Sequence, residues 1–66
     1  MKEKLYSITT KNACFGMVTV DDTVTETAPI GKRYLGHNIE HVKRDIKKFN
    51  GTIKLVKIIK EQKGLF

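Results

Sequence analysis

Residues 36–51 have the sequence GHNIEHVKRDIKKFNG, which is the strongest structural signal in the chain. Its apolar residues recur at spacings of three, four and three, as on one face of an α-helix; they are Ile39, Val42, Ile46 and Phe49. Asn38 is a suitable N-cap, because its side chain can accept a hydrogen bond from a free backbone N–H. Asn50-Gly51 is a stop signal, because glycine tolerates the left-handed backbone conformation there. The stretch predicts one short amphipathic helix.

Segments rich in β-forming residues flank this helix on both sides. We predict three strands before it and one after it, at residues 4–10, 13–20, 23–28 and 52–59. Asp21-Asp22 predicts a tight hairpin between the second and third strands. Pro29 ends the third strand, because proline cannot donate a hydrogen bond to a strand ladder, and residues 28–31 are expected to form a loop.

The register of the predicted hairpin stays open at the level of sequence. A loop of two residues would place Phe15, Met17 and Val24 on one face of the sheet. A loop of three residues would instead pair Val20 with Val24. Both loop lengths are common in hairpins, so the sequence does not choose between them.

Two positions interrupt the predicted strands. Gly16 predicts a β-bulge or a close approach of another backbone segment. In the fourth strand, Ile53 and Leu55 are expected to face the core, but the alternation fails at Val56-Lys57. The strand therefore either bulges there or continues as another structure, for which a helix is the weaker alternative. We expect residues 60–66 to form a flexible tail.

The element order β-β-β-α-β predicts a small α+β fold. One amphipathic helix packs on one face of a small, mainly antiparallel sheet, in a single domain that spans residues 1–66. The second face of the sheet is expected to be bare. The side chains of Tyr6, Ile8, Phe15 and Met17 cannot all be assigned to the helix side, and any left outside it offer a surface for a homodimer.

Charge is unevenly distributed along the chain. The formal net charge is +6, of which residues 1–30 contribute −1 and residues 31–66 contribute +7. Such a basic half can bind nucleic acid or an acidic protein, although lysines also simply keep small domains soluble. Cys14 is the single cysteine, which favours a reducing compartment, and no apolar run is long enough to span a membrane. We therefore expect a cytoplasmic protein with no membrane partner.

No set of residues in the sequence points to catalysis. Cys14 has no histidine near it in sequence and is interpreted as a small core residue in a strand. His37 and His41 are four residues apart, but His37 precedes the helix cap and no third ligand follows, so we expect no metal site. Asp21-Asp22 is interpreted as a turn rather than a pair of catalytic carboxylates. The protein is predicted not to be an enzyme and to need no cofactor.

Basic residues in and around the helix are the candidate binding residues. Tyr34 adds an aromatic ring that can stack on a base or on a partner side chain. The full candidate set for binding a partner or nucleic acid is Lys32, Arg33, Tyr34, Lys43, Arg44, Lys47, Lys48, Lys54 and Lys57. A solvated helix face is also normally charged, so the same residues are compatible with solubility alone.

Three short motifs carry a resemblance to a known group of proteins. They are Phe15-Gly16 in a strand, the loop Ala28-Pro29-Ile30, and Gly36 before the helix. In these motifs the chain resembles short proteins of unassigned function that are encoded by phages and prophages. Those proteins carry a lysine where this chain has His37, so no site is transferred from them. The resemblance implies a viral origin and an accessory role in the host cytoplasm.

These observations favour a small, non-enzymatic accessory protein that binds another protein and blocks a host or defence factor. Two alternatives remain open. One is a nucleic-acid-binding module that uses the basic face of the helix. The other is a small structural or virion component that acts as an oligomer.

Overall fold

The computed structural model describes residues 2–61 and contains the predicted order of elements. The elements are β1 (Lys2–Thr9), β2 (Cys14–Val20), β3 (Thr23–Thr27), a 3₁₀-helix (Pro29–Tyr34), α1 (Ile39–Lys48) and β4 (Thr52–Glu61). The four strands form one antiparallel sheet in the order β3-β2-β1-β4. The predicted α+β fold is confirmed, and the 3₁₀-helix replaces part of the expected loop.

The core lies between α1 and one face of the sheet. Tyr6 pairs with Met17 and Ile8 pairs with Phe15, so all four side chains share this face. The buried apolar residues are Tyr6, Ile8, Met17, Val24, Tyr34, Ile39, Val42 and Ile46, with Phe15 and Ile53 packed against them. The sheet therefore has one covered face and one open face.

The hairpin between β2 and β3 has a loop of two residues. Val20 pairs with Thr23, and the two residues between them have positive φ values of 50° at Asp21 and 68° at Asp22. Positive φ at both central positions is the type I′ turn, whose twist matches that of the flanking strands. This register places Val24 on the covered face of the sheet, where it is buried.

Bulges occur in β4 as predicted, but not at Gly16. Leu55 pairs with Tyr6 and Lys57 pairs with Leu5, which leaves Val56 as an extra residue in the ladder. Gly16 pairs regularly with Ser7, and a Cβ atom added there would have no neighbour closer than 3.7 Å. The prediction of a bulge or close backbone approach at Gly16 is therefore wrong.

The start of α1 follows the sequence signals, but its end differs in detail. The side chain of Asn38 accepts a hydrogen bond of 2.8 Å from the Glu40 N–H, as expected of an N-cap. At the other end Asn50, with φ of 58°, takes the left-handed conformation that we expected of Gly51. Phe49 is the C-cap residue rather than part of the buried face, and its side chain is 55% exposed.

Gly51 is required for a different reason. A Cβ atom at this position would lie 2.8 Å from the backbone oxygen of Thr9 and 2.9 Å from Cγ2 of Ile46. The Gly51 N–H also donates a hydrogen bond of 3.0 Å to the Ile46 carbonyl, which completes the Schellman motif at the end of α1. Close packing between α1 and the sheet thus excludes a side chain here.

The fourth strand is longer than predicted. Lys60 pairs with Glu3 and Glu61 pairs with Lys2, so both residues belong to β4 and not to a flexible tail. The remainder of the predicted tail, residues 62–66, lies outside the described residues. The third strand, by contrast, ends one residue earlier than predicted, at Thr27.

Candidate functional site

The two edges of the sheet differ in how their backbone groups are satisfied. On the outer edge of β3, the Val24 N–H donates to the His37 carbonyl at 2.9 Å, and its carbonyl accepts from Gly36 at 2.9 Å. Thr23 also forms a β-bridge with Asn38. At the other end of the sheet, no segment within residues 2–61 pairs with the outer edge of β4. This edge of β4 is open to another strand.

Apolar side chains are exposed along β4. Leu55, Val56, Ile58 and Ile59 are between 42% and 54% exposed. Leu55 lies opposite Tyr6 and Ile58 opposite Lys4, which places both on the covered side of the sheet. Sequence analysis predicted this face for Leu55, but the expectation that the side chain joins the core is wrong.

The exposure of Leu55 has a simple geometric cause. The ten residues of α1 extend about 15 Å, whereas the ten residues of β4 extend about 33 Å. The helix packs beside the first part of β4, where Ile46 and Ile53 line a common groove. No element among the described residues therefore covers the apolar side chains farther along β4.

Lysines surround this apolar strip on both sides of the sheet. Lys54 lies opposite Ser7 and Lys57 opposite Leu5, which places both on the open face. On the other side, Lys43 and Lys47 line the groove between α1 and β4, which has a volume of about 340 Å³. Residues 52–59 contain no acidic side chain. We call the outer edge of β4 with Leu55, Ile58 and these four lysines the β4 surface.

The other predicted binding residues are not gathered at the β4 surface. Arg33 lines a separate groove, and Lys48 is exposed in the last turn of α1. Lys32 and Arg44 are exposed on the 3₁₀-helix and on α1. The tertiary structure thus divides the basic residues of the sequence into separate groups.

Tyr34 belongs to the core and does not offer a ring for stacking. Its side chain is 5% exposed, and its hydroxyl donates a hydrogen bond to the carboxylate of Asp45. The guanidinium carbon of Arg33 lies 5.5 Å from the centre of the ring. Burial raises the pKa of Tyr34, and the hydrogen bond holds the pKa of Asp45 below its usual range. The stacking role predicted for Tyr34 is therefore wrong, because the ring is buried in the core and is not accessible to a base or a partner side chain.

Sequence reasoning missed a second groove, which also borders Ile46 near the C-terminal end of α1. It has a volume of about 590 Å³, and its lining includes Phe15, Ile30, Phe49, Lys11 and Arg33. These residues come from β2, the 3₁₀-helix, the end of α1 and the turn between β1 and β2. No spacing in the sequence brings them together, because the groove is formed only when those segments pack.

The remaining chemical groups do not assemble into a site. Cys14 was expected in the core but is exposed, with its sulfur 3.7 Å from the Thr9 hydroxyl. His37 and His41 stack at a distance of 4.8 Å between ring centres. Among residues 2–61 there is no group of three or more potential metal ligands. The part of the chain that the structure describes also has no helix long and apolar enough to cross a membrane.

Comparison with known proteins returned no match to a family model, a curated protein or a solved structure. The surfaces described above are therefore the basis for a functional proposal.

Proposed function

We propose that this protein acts by binding another protein through the β4 surface, and not by catalysis. The observation that supports the proposal is the contrast between the two sheet edges. Within residues 2–61, the chain covers the edge of β3 with its own backbone but leaves the edge of β4 open, with large apolar side chains beside it. An exposed edge of this kind is a template for pairing with another chain, and exposed apolar patches mark interaction sites. Blocking a host or defence protein, as the resemblance implies, is one form of this function.

Site-specific photocross-linking tests the proposal. A photoreactive amino acid at position 58 places the probe on the β4 surface. The same amino acid at position 25, in place of an exposed threonine of β3, is the control. In cells that naturally contain the protein, we expect adducts with one recurrent partner protein from position 58 and not from position 25. The variant Leu55→Thr should reduce the yield of that adduct, since threonine keeps the strand but removes apolar contact.

Two results would count against the binding of another protein through the β4 surface. Adducts of equal yield from both positions would show that contact is unspecific. Adducts with a second copy of the chain alone would favour the oligomeric alternative, in which the same edge joins two protomers.

A second candidate function is nucleic-acid binding, which the charge of α1 favours. Lys43, Arg44, Lys47 and Lys48 are all exposed. Of these four cations, only Lys43 forms an ion pair with a described residue, Glu40, at 3.3 Å. Binding through these cations should weaken steeply as salt is raised, because each phosphate contact releases a counterion. Titration of duplex DNA, single-stranded DNA and RNA at low salt tests this candidate, and a flat response to all three contradicts it.

A further inference from the structure

We infer that the partner presents an extended segment of alternating acidic and apolar residues, which adds to the sheet as a fifth strand beside β4. This inference rests on the proposed function, because it describes the chemistry of the partner at the same surface.

The open edge of β4 favours an extended segment over a helix. A strand at the edge of a sheet leaves every second N–H and C=O pointing outward, and an added strand satisfies those groups. β4 is ten residues long, so it offers a longer run of such groups than the five residues of β3. The apolar side chains of Leu55 and Ile58 lie on one side of this edge, where alternate side chains of an added strand would contact them.

The positive charge on the open side of the sheet indicates which side chains the added segment carries on that side. Lys54 and Lys57 both lie on the open side of the sheet, so the residues of a neighbouring strand on that side would face two cations. Residues 52–59 contain no acidic side chain that could neutralise these two cations. Acidic side chains on this face, and apolar side chains on the other, therefore complement β4. If the partner segment carries an acidic residue beside the start of β4, on the side of the sheet that α1 covers, that residue would also contact Lys43 and Lys47.

The same charges disfavour a second copy of this chain as the occupant. Pairing through two β4 edges, with covered sides aligned, would place Lys54 and Lys57 of both copies on one face of the joined sheet. Like charges on neighbouring strands are destabilising, and each chain carries a net charge of +6. The bulges at Val56 and Ile59 further discourage indiscriminate pairing, as bulges and lysines do on other exposed edges. An acidic partner strand turns these protective lysines into attractive contacts.

Three synthetic ten-residue peptides test the inference on the full chain. The first alternates glutamate with valine, the second alternates lysine with valine, and the third has the glutamate–valine composition in blocks without alternation. NMR spectra and amide hydrogen exchange of the protein report where each peptide binds. We expect the first peptide to shift the resonances of β4 and to slow exchange of its outward amides, with an affinity that falls as salt is raised.

A charge exchange supplies the decisive comparison. The double variant Lys54→Glu/Lys57→Glu should bind the acidic peptide at least about tenfold more weakly and should gain affinity for the lysine peptide. The variant Lys32→Glu/Arg44→Glu makes the same change in net charge away from the β4 surface, and it should retain most of the affinity for the acidic peptide. Spectra of both variants without peptide show whether each is folded.

The results separate this inference from the proposed function. If the acidic peptide does not bind, binds away from β4, or binds no better than the block peptide, the inference is overturned. A partner that cross-links at position 58 through a helical or non-acidic segment also overturns it, while the proposed function stands. If no partner cross-links at position 58, the proposed function fails even where a synthetic peptide binds.

Discussion

Thr19 is a polar residue in the apolar core of the protein. It is fully buried on the covered face of the sheet, opposite Val24, and its hydroxyl has no partner among the residues that the structure describes. We predict that Thr19→Val raises the free energy of unfolding by about 1 kcal/mol, because valine has nearly the same shape without the desolvated hydroxyl. Urea denaturation measures the change. Thr25→Val is the control, since Thr25 is exposed and should change stability little; a loss of stability in Thr19→Val would contradict the prediction.

Gly16 and Gly31 should respond in opposite ways to the same substitution. A Cβ atom at Gly31 would overlap the Thr27 hydroxyl and lie 2.7 Å from Cε2 of Phe15, whereas one at Gly16 meets nothing closer than 3.7 Å. We predict that Gly31→Ala destabilises the fold by about 1–3 kcal/mol through overpacking. Gly16→Ala should stabilise it by about 0.5–1 kcal/mol through reduced backbone entropy in the unfolded chain. Thermal unfolding of both variants compares them, and a change of the same sign in both would contradict the contact argument.

The burial of Tyr34 and its hydrogen bond to Asp45 should make stability depend on pH at both extremes. The pKa of Asp45 is lowered in the folded state, so its contribution is present above the unfolded pKa and is lost as the pH falls through the folded value, below about pH 4. The pKa of Tyr34 is raised, so its contribution is lost as the pH rises through the folded value, above about pH 10.

Tyr34→Phe removes the hydroxyl and should flatten both limbs of this profile. Urea denaturation across a pH series measures it, with Tyr6→Phe as the control for loss of a tyrosine hydroxyl elsewhere in the core. Unchanged slopes in Tyr34→Phe would show that the contact does not govern the titration.

At the scale of elements, the N-terminus of α1 depends on one side-chain contact. The Asn38 side chain satisfies the Glu40 N–H, which no carbonyl within the helix can reach. We predict that Asn38→Ala lowers the free energy of unfolding by about 1 kcal/mol, whereas Asn12→Ala in the exposed turn after β1 changes it little. Chemical denaturation of the two variants provides the comparison. An equal loss in both would indicate that asparagine substitution, and not the cap, is responsible.

Local sequence signals predicted the elements correctly where the stabilising interactions lie between neighbouring residues. Asn38 caps α1 within three residues of its own position, and Asp21-Asp22 forms the turn by adopting positive φ. The misses have non-local causes. Phe49 fits the helical period but falls beyond the last turn, and Gly16 is a regular strand residue because the neighbouring strands leave it free space. The fourth strand extends to Glu61 because β1 is there to pair with it.

At the scale of the whole molecule, stability should depend on one side of the sheet. Ile8 is fully buried against α1, whereas Leu55, on the same side, is about half exposed. We predict that Ile8→Ala costs about 2–5 kcal/mol, which is a large share of the stability of so small a domain. Leu55→Ala should cost no more than about 1.5 kcal/mol, because much of its surface is already in water. Thermal unfolding distinguishes the two variants, and equal losses would contradict the prediction.

The candidate site was only partly predictable. Composition and spacing singled out Lys43, Lys47, Lys54 and Lys57 as candidate binding residues. The same candidate set included Tyr34, which is buried. That the four lysines lie on two sides of one strand follows from the pairing of β4 with β1 and from the packing of α1 beside β4. Such pairing joins residues almost fifty positions apart, and no local pattern encodes it.

The sequence alone determined α1, its N-cap, the Asp21-Asp22 turn and the positive charge of the second half of the chain. These features depend on backbone preferences and hydrogen bonds between near neighbours, or on composition. Tertiary packing set the strand order, the burial of Tyr34 and the contrast between the two sheet edges. Each of these arises from contacts between distant segments: residues 36–38 cover β3, and α1 is too short to cover β4. The surface on which the proposed function depends is therefore a product of the assembled sheet and not of any one segment.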